Sequence, residues 1–261
     1  MSDTLLYTVD AGVATITLNR PHVMNALDAG MIERLRSVCE QARDDAAVRV
    51  VVLRGNGPAF LAGGDVALFH ANLPTLPEMV ERLAGELHYA IIALRDAAKP
   101  VLASVHGAVA GAGVSLLAAA DLAIAAADTK FTLAYSKIAA SPDGGSTYFL
   151  PRIVGTRKTL ELMMLSDTFD AAAALDLGLV NWVVPGAELA VETGKIVRRL
   201  VNGPTVAYGE GKALVNRTFE RSLAAQLDAE AQAFARCART RDLAEGVTAF
   251  VEKRSPRFRG E

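Results

Sequence analysis

The chain has 261 residues, 51% of them apolar and 21% charged, with a formal net charge of −2. That length buries a full core, as one domain or as one domain with a helical appendage. Near-neutral charge leaves no electrostatic footprint for nucleic acid or an anionic membrane, and the longest apolar stretch, Leu116–Ala127, contains Asp121 and is too short to span a bilayer.

The opening residues Met1–Thr4 lack the basic and then apolar pattern of a secretory leader. Cys39 and Cys237 stand far apart, outside any CxxC or Cys/His cluster, which predicts two reduced thiols, cytosolic residence and no structural metal. Leu5–Asp10 and Val13–Leu18 alternate like paired strands around an Ala11-Gly12 turn. Asp28–Asp44 carries apolar residues at helical spacing, and Val48–Leu53 reads as a buried strand. A second helix is expected over Leu76–Ala97, stopped ahead of Pro100. Val101–Val105 is a strand that breaks at Gly107–Gly113, and a helical pattern follows over Val114–Ala126. Ala123–Ala127, overlapping the end of that pattern, and Lys130–Leu133 read as short strands. The alternation makes the first two-thirds α/β. Beyond Ser166 the segments Ala171–Leu177, Glu188–Leu200, Thr205–Arg217 and Ser222–Cys237 are helical, with alanine-rich faces that need the core or a neighbouring subunit to cover them.

Two stretches carry the chemistry: Ala59–Asp65 (AFLAGGD) and Ser104–Leu117 (SVHGAVAGAGVSLL). Each is an apolar strand-like run that breaks at small residues, where the main chain itself can approach a ligand. The second then enters a helix, whose first amides and dipole favour negative charge. Together they suggest a pair of backbone donors around one developing oxyanion, a device for a carbonyl or thioester substrate. Other glycine motifs do not fit. Gly107–Gly113 reads GxxxGxG and not GxGxxG, no Gly-Lys-Ser/Thr ending is present, and Gly144–Thr147 does not supply a GxSxG elbow.

In these residues the chain resembles the crotonase superfamily, also called the enoyl-CoA hydratase/isomerase family. The matching segments are Asn19–Leu27 (NRPHVMNAL), Ala59–Asp65, Lys99–Gly113, Ser141–Ser146 (SPDGGS), Ala173–Asn181 (AALDLGLVN) and Ala249–Arg254 (AFVEKR). The resemblance implies an α/β fold, a spiral of ββα units over residues 1–200 that holds the acyl-CoA and the active site. It assigns residues 201–261 to a C-terminal helical region for trimerisation, often of paired trimers, and for closure over CoA. The family's oxyanion donors fall on the amides of Gly64 and Ala112, the latter standing where the family usually has Gly. That change matters little if φ is negative, because the donor is main chain. For CoA the resemblance implies Ala26 and Ala62 near adenine and pantetheine, and Phe250 and Lys253 closing over adenine and phosphates. Coenzyme A is then part of the substrate, and no metal or redox cofactor is implied.

The reaction turns on carboxylates. Hydratases of this family use two glutamates, and the corresponding positions here are Ser115 and Tyr135, neither of which can act as a carboxylate base. Asp143 remains, close before the apolar stretch Tyr148–Leu150, where a carboxylate would be partly desolvated. The isomerase branch has its single catalytic carboxylate there, so the resemblance implies a shift of a double bond from 3-enoyl-CoA to 2-enoyl-CoA with Asp143 as proton shuttle. Asp143 could instead cap a helix or shape an Asp-Gly turn. Tyr135 could donate a hydrogen bond to Asp143 or line the acyl pocket with Ser115. His88, on an otherwise apolar helical pattern, is either a core residue or a pocket residue; the 4-chlorobenzoyl-CoA dehalogenase branch has a catalytic histidine there, and its tryptophan stands where this chain has Tyr135. Alternatives therefore stay open: ring-epoxide CoA isomerisation, a hydratase-type lyase, a dehalogenase-like hydrolase, or non-catalytic binding of CoA esters. His22, His70 and His106 are assigned no chemistry, and Asp65 is expected to order its loop by accepting backbone N–H bonds.

Overall fold

Residues 3–261 are described by the structure, a computed structural model, and they begin with the hairpin that the period-two pattern predicts. β1 (Leu5–Asp10) and β2 (Val13–Leu18) pair antiparallel, with Asp10 opposite Val13 across the turn. α1 (Ala29–Asp44) begins where the Asp28 carboxylate accepts from the Met31 N–H, and it buries Met31, Leu35, Val38 and Ala42 along one face.

From there one unit repeats. β3 (Val50–Gly55) and β4 (Ala59–Leu61) are followed by α2 (Val66–Ala71) and α3 (Leu76–Asp96). β5 (Val101–Val105) and β6 (Ala108–Ala110) lead into α4 (Ala112–Ala119). β7 (Leu122–Ala126) and β8 (Lys130–Thr132) lead, through a 3₁₀ turn at Tyr135–Ile138, into α5 (Ser146–Ile153). The first strand of each unit joins one sheet and the second joins another. With α6 (Thr156–Leu165), β9 (Phe169–Asp170), α7 (Ala171–Asp176) and β10 (Trp182–Val184) added, the sheets order as β1-β2-β3-β5-β7-β10 and β4-β6-β8-β9. Beyond the hairpin the large sheet is parallel throughout. This is the expected α/β spiral of ββα units. Its core is filled by Phe60, Leu61 and Phe131, all fully buried, each worth roughly 1.5–3 kcal/mol of transfer free energy.

One expected element is corrected. The helix begun at Val114 starts two residues earlier and ends at Ala119, and Leu122–Ala126 is a strand. Asp121 takes the chain out of the helix. Its N–H donates to the Val101 carbonyl, and its carboxylate accepts from the Val101 N–H and pairs with the Lys212 ammonium at 2.8 Å. Those bonds fix the parallel register in which Leu122 lies beside Leu102.

The chain closes with α8 (Leu189–Val201), α9 (Thr205–Asn216), α10 (Leu223–Cys237) and α11 (Arg241–Val251). The tail folds back onto α11, where the buried Asp242 carboxylate accepts from the N–H groups of Arg259 and Gly260. Phe219, Leu223, Phe234 and Phe250 project from these last segments into solvent. Among the described residues no helix is long and apolar enough to cross a membrane.

Candidate active site

The two small-residue turns singled out in the sequence meet. β4 runs out through Ala62 into Gly63 and Gly64, and β6 runs out into Gly111 and the first turn of α4. Gly111 holds φ +51° and ψ −120°, a region that side-chain-bearing residues avoid. A Cβ added there would lie 3.5 Å from the Gly63 Cα, so the two backbones touch at this point. Gly64 and Ala112 follow directly, and both line one cavity of about 580 Å³. Among the described residues neither the Gly64 nor the Ala112 N–H donates to a protein carbonyl in turns, loops or caps. Ala112 is the first residue of α4 and has negative φ, so its methyl leaves the main-chain donor unaffected. Two free amides at one junction, one of them at a helix N-terminus, can hold negative charge.

A second loop fixes the Gly64 side of this junction. The Leu27 N–H donates to the Gly63 carbonyl at 2.8 Å and the Asp65 N–H donates to the Leu27 carbonyl at 3.0 Å, so Gly64 is clasped from both sides. Asn25, fully buried and at φ +59°, donates from its amide to the carbonyls of Asn56, Ala59 and Phe60 and accepts from the Arg20 N–H. The Arg20 guanidinium bridges Asp28 at 3.2 Å and Asp65 at 3.1 Å and also donates to the Ala26 carbonyl. Asp65 accepts from the Leu68 N–H at the start of α2, the loop-ordering role expected of it. Arg20 and Asn25 lie in the Asn19–Leu27 motif, but their bonds to Asp65 and to the carbonyls of Asn56, Ala59 and Phe60 span 31 to 45 residues and leave no spacing signal in the sequence.

The opposite wall is built of side chains. Asp143 lies in the loop before α5 and lines the cavity. Its carboxylate does not cap α5, whose N-cap is Gly145; it accepts from the Tyr135 hydroxyl through Oδ1 at 2.6 Å. Ser115, fully buried on α4, donates to the Asp143 main-chain carbonyl at 2.9 Å and lies 3.3 Å from the Tyr135 hydroxyl. Ser146 donates to the same carbonyl from both its N–H and its hydroxyl. Burial, and then the adjacent Asp143 carboxylate, push the Tyr135 phenol well above its ordinary range, so it remains a donor. Phe69, Leu76, Val80, Leu83 and Leu87 line the same cavity and make much of its wall apolar.

The structure thus brings together Gly64, Ala112, Tyr135, Asp143 and Ala62 on one cavity, with Ser115 directly behind it. His88 is corrected. It is exposed and lines a separate groove with Ile92, Arg95 and Tyr148, because one step along α3 from the buried Leu87 turns a side chain by about 100° away from the packed face. Ala26 is buried, its carbonyl accepts from Arg20, and it is not among the residues lining this cavity, whereas its neighbour Leu27 is. Phe250, on α11, lines an apolar groove with Cys237 and Phe258, and Lys253 follows in the next turn; within one chain neither borders the Asp143 cavity. His22 and His70 are exposed, and the His106 ring is hydrogen-bonded to the Gly57 carbonyl at 2.8 Å.

Comparison with known proteins places the chain in a family. Residues 8–261 match the family model for enoyl-CoA hydratase/isomerase. The chain is 37% identical over 260 residues, 98% of each chain, to a Rhodobacter capsulatus protein named "probable enoyl-CoA hydratase". It is 35% identical over 265 residues, the whole of each chain, to 1,2-epoxyphenylacetyl-CoA isomerase of Escherichia coli. It superposes on the crystal structure of an enoyl-CoA hydratase from Polaromonas sp. JS666 with a TM-score of 0.92, at 32% identity and covering 98% and 99% of the two chains.

Proposed function

The chain belongs to the enoyl-CoA hydratase/isomerase family, and from that premise we propose that it moves a double bond from the β,γ to the α,β position of an acyl-CoA. One observation carries the choice: among the described residues Asp143 is the sole carboxylate on the cavity wall, and Ser115 and Tyr135 stand at the positions of the hydratase glutamates. Adding water across a double bond calls for a group to activate water and another to deliver a proton. A 1,3 proton shift calls for one.

Asp143 takes the proton from C2, and the C–H electron pair becomes the C1–C2 π bond of a dienolate. The charge moved onto the thioester oxygen is held by the N–H groups of Gly64 and Ala112. Asp143 then returns the proton to C4, the C3–C4 π electrons form the new C–H bond, and the C2–C3 double bond closes as the carbonyl re-forms. The cycle balances without a redox partner or metal. A cavity lined by apolar residues such as Phe69, Leu83 and Leu87 would hold little water and so favour return of the proton over hydration.

The relative that isomerises 1,2-epoxyphenylacetyl-CoA favours a second reading on the same site, in which the shifted bond belongs to a strained ring-epoxide thioester. The helical faces carrying Phe219, Leu223, Phe234 and Phe250 fit a homotrimer or a dimer of trimers, and cytosolic residence goes with the reduced thiols expected of Cys39 and Cys237. The test pairs wild type with Asp143→Asn on a 3-enoyl-CoA and a 2-enoyl-CoA, following the conjugated thioester absorbance. Conjugation of the 3-enoyl substrate, lost by roughly 100- to 10,000-fold in the variant with CoA binding intact, is the expected result. Hydration of the 2-enoyl substrate, untouched by the substitution, would make Asp143 structural.

A further inference from the structure

The two carboxylate oxygens of Asp143 are not equivalent. Oδ1 accepts from the Tyr135 hydroxyl at 2.6 Å, whereas among the described residues no protein donor meets Oδ2. The Tyr135 oxygen is itself located by Ser115, 3.3 Å away, and Ser115 also holds the Asp143 main chain through its carbonyl. One buried serine therefore fixes both the loop that carries the carboxylate and the phenol that grips it. Tyr135 heads the 3₁₀ turn at one side of the cavity and Ser115 sits in the second turn of α4, so the grip ties the proton-handling loop to the helix whose first amide is Ala112.

We propose that Tyr135 is a positioning residue that locks Oδ1 and so leaves Oδ2 as the one oxygen that carries the proton from C2 to C4. The proposal rests on the reading of Asp143 as proton shuttle. Tyr135 neither gains nor loses a proton in the cycle. The C2–H proton passes to Oδ2, stays there while the dienolate is held, and leaves for C4. A carboxyl group pinned at Oδ1 does not swing about Cβ–Cγ, so Oδ2 stays turned toward the two carbons and most of the proton lifted from C2 reappears at C4. Released from the phenol, the same carboxyl group turns freely, exchanges with water between the two steps, and spends time in geometries from which neither carbon is in reach.

The experiment uses a 3-enoyl-CoA carrying deuterium at C2, and reads kcat, KM and the fraction of label delivered to C4. Wild type is expected to transfer a substantial share of the label. Tyr135→Phe keeps the ring and loses one hydrogen bond to a charged group, so kcat is expected to fall ~10- to 100-fold with KM within ~2-fold. Label at C4 should drop toward zero. Unchanged kcat and label transfer in Tyr135→Phe would overturn the proposal, as would a wild type that transfers no label at all. Should Tyr135→Phe fail to fold, Ser115→Ala loosens the same grip from below, and unchanged label transfer there would overturn it equally. Asp143→Asn separates the two readings. Full activity in that variant removes the shuttle itself, whereas an inactive Asp143→Asn beside a wild-type-like Tyr135→Phe removes only the role of Tyr135.

Discussion

The cavity has two walls of different construction. On one side the working groups are main-chain amides, Gly64 and Ala112, brought together where the Gly63 and Gly111 backbones touch. On the other they are side chains, Asp143 with Tyr135 and Ser115, joined by hydrogen bonds of 2.6–3.3 Å. The first wall is set by strand ends, a helix start and a clasping loop, so it tolerates exchange of side chains as long as the path of the backbone is kept. The second changes its chemistry with each side chain. Under the proposed function, the half that would hold the oxyanion can stay constant while the half that would handle the proton changes with side chains such as Ser115 and Tyr135.

Apart from substitution of Asp143 itself, the largest expected effect comes from deleting one amide while keeping its helix. Ala112 is the first residue of α4, a position that proline accepts because its N–H has no partner within the helix and its φ is already helical. The preceding Gly111 lacks the Cβ through which proline usually restricts its neighbour. Ala112→Pro should therefore fold with a melting temperature near that of wild type. Its kcat for the 3-enoyl substrate should fall ~100- to 1000-fold, the usual cost of removing one oxyanion donor. Wild-type turnover by a folded Ala112→Pro would mean that the backbone wall holds no charge.

Gly111→Ala tests the path of the backbone and not the donor. Around an added Cβ the neighbours stand at 3.5 to 4.0 Å, ordinary contact distances, so the substitution does not clash. The cost lies in φ +51° and ψ −120°, which alanine resists by about 1–3 kcal/mol. Chemical denaturation should register that loss, and kcat should fall with it as the Ala112 amide swings out of line. A variant as stable and as active as wild type would show that this junction is not under conformational constraint.

Periodicity and end signals made most of the large sheet legible: the alternation of β2, the Asp28 cap of α1, and Pro100 beyond α3 all mark themselves locally. The α4–β7 boundary did not, because Leu116–Ala126 is apolar save for Asp121 and largely buried, so neither period is visible. What ends α4 there is a contact of Asp121 with Val101, twenty residues away. The two glycine turns and Asp143 were readable as motifs. His88 was misplaced because its neighbour Leu87 is the buried one, and a single-residue offset on a helix decides which groove a side chain enters. Arg20 escaped notice for a different reason. It sits in the Asn19–Leu27 motif, but its bridge to Asp65 spans 45 residues, and no spacing announces it.

The smallest expected effect sharpens the comparison most. Ala112→Gly restores the glycine usual at this place in the family and leaves the N–H where it is. Its methyl is nearly buried, so the loss of one such group costs about 1 kcal/mol, and glycine at a first helical position adds less than the full penalty of a helix interior. Stability should therefore fall slightly. Activity should not follow it, because the donor is main chain and Gly111, not residue 112, sets its direction. The expected kcat stays within ~2-fold of wild type while the proline variant at the same position is crippled. If glycine also lowered kcat tenfold, the Ala112 methyl would be packing against the substrate, and this wall would have to be counted as side chain as well as backbone.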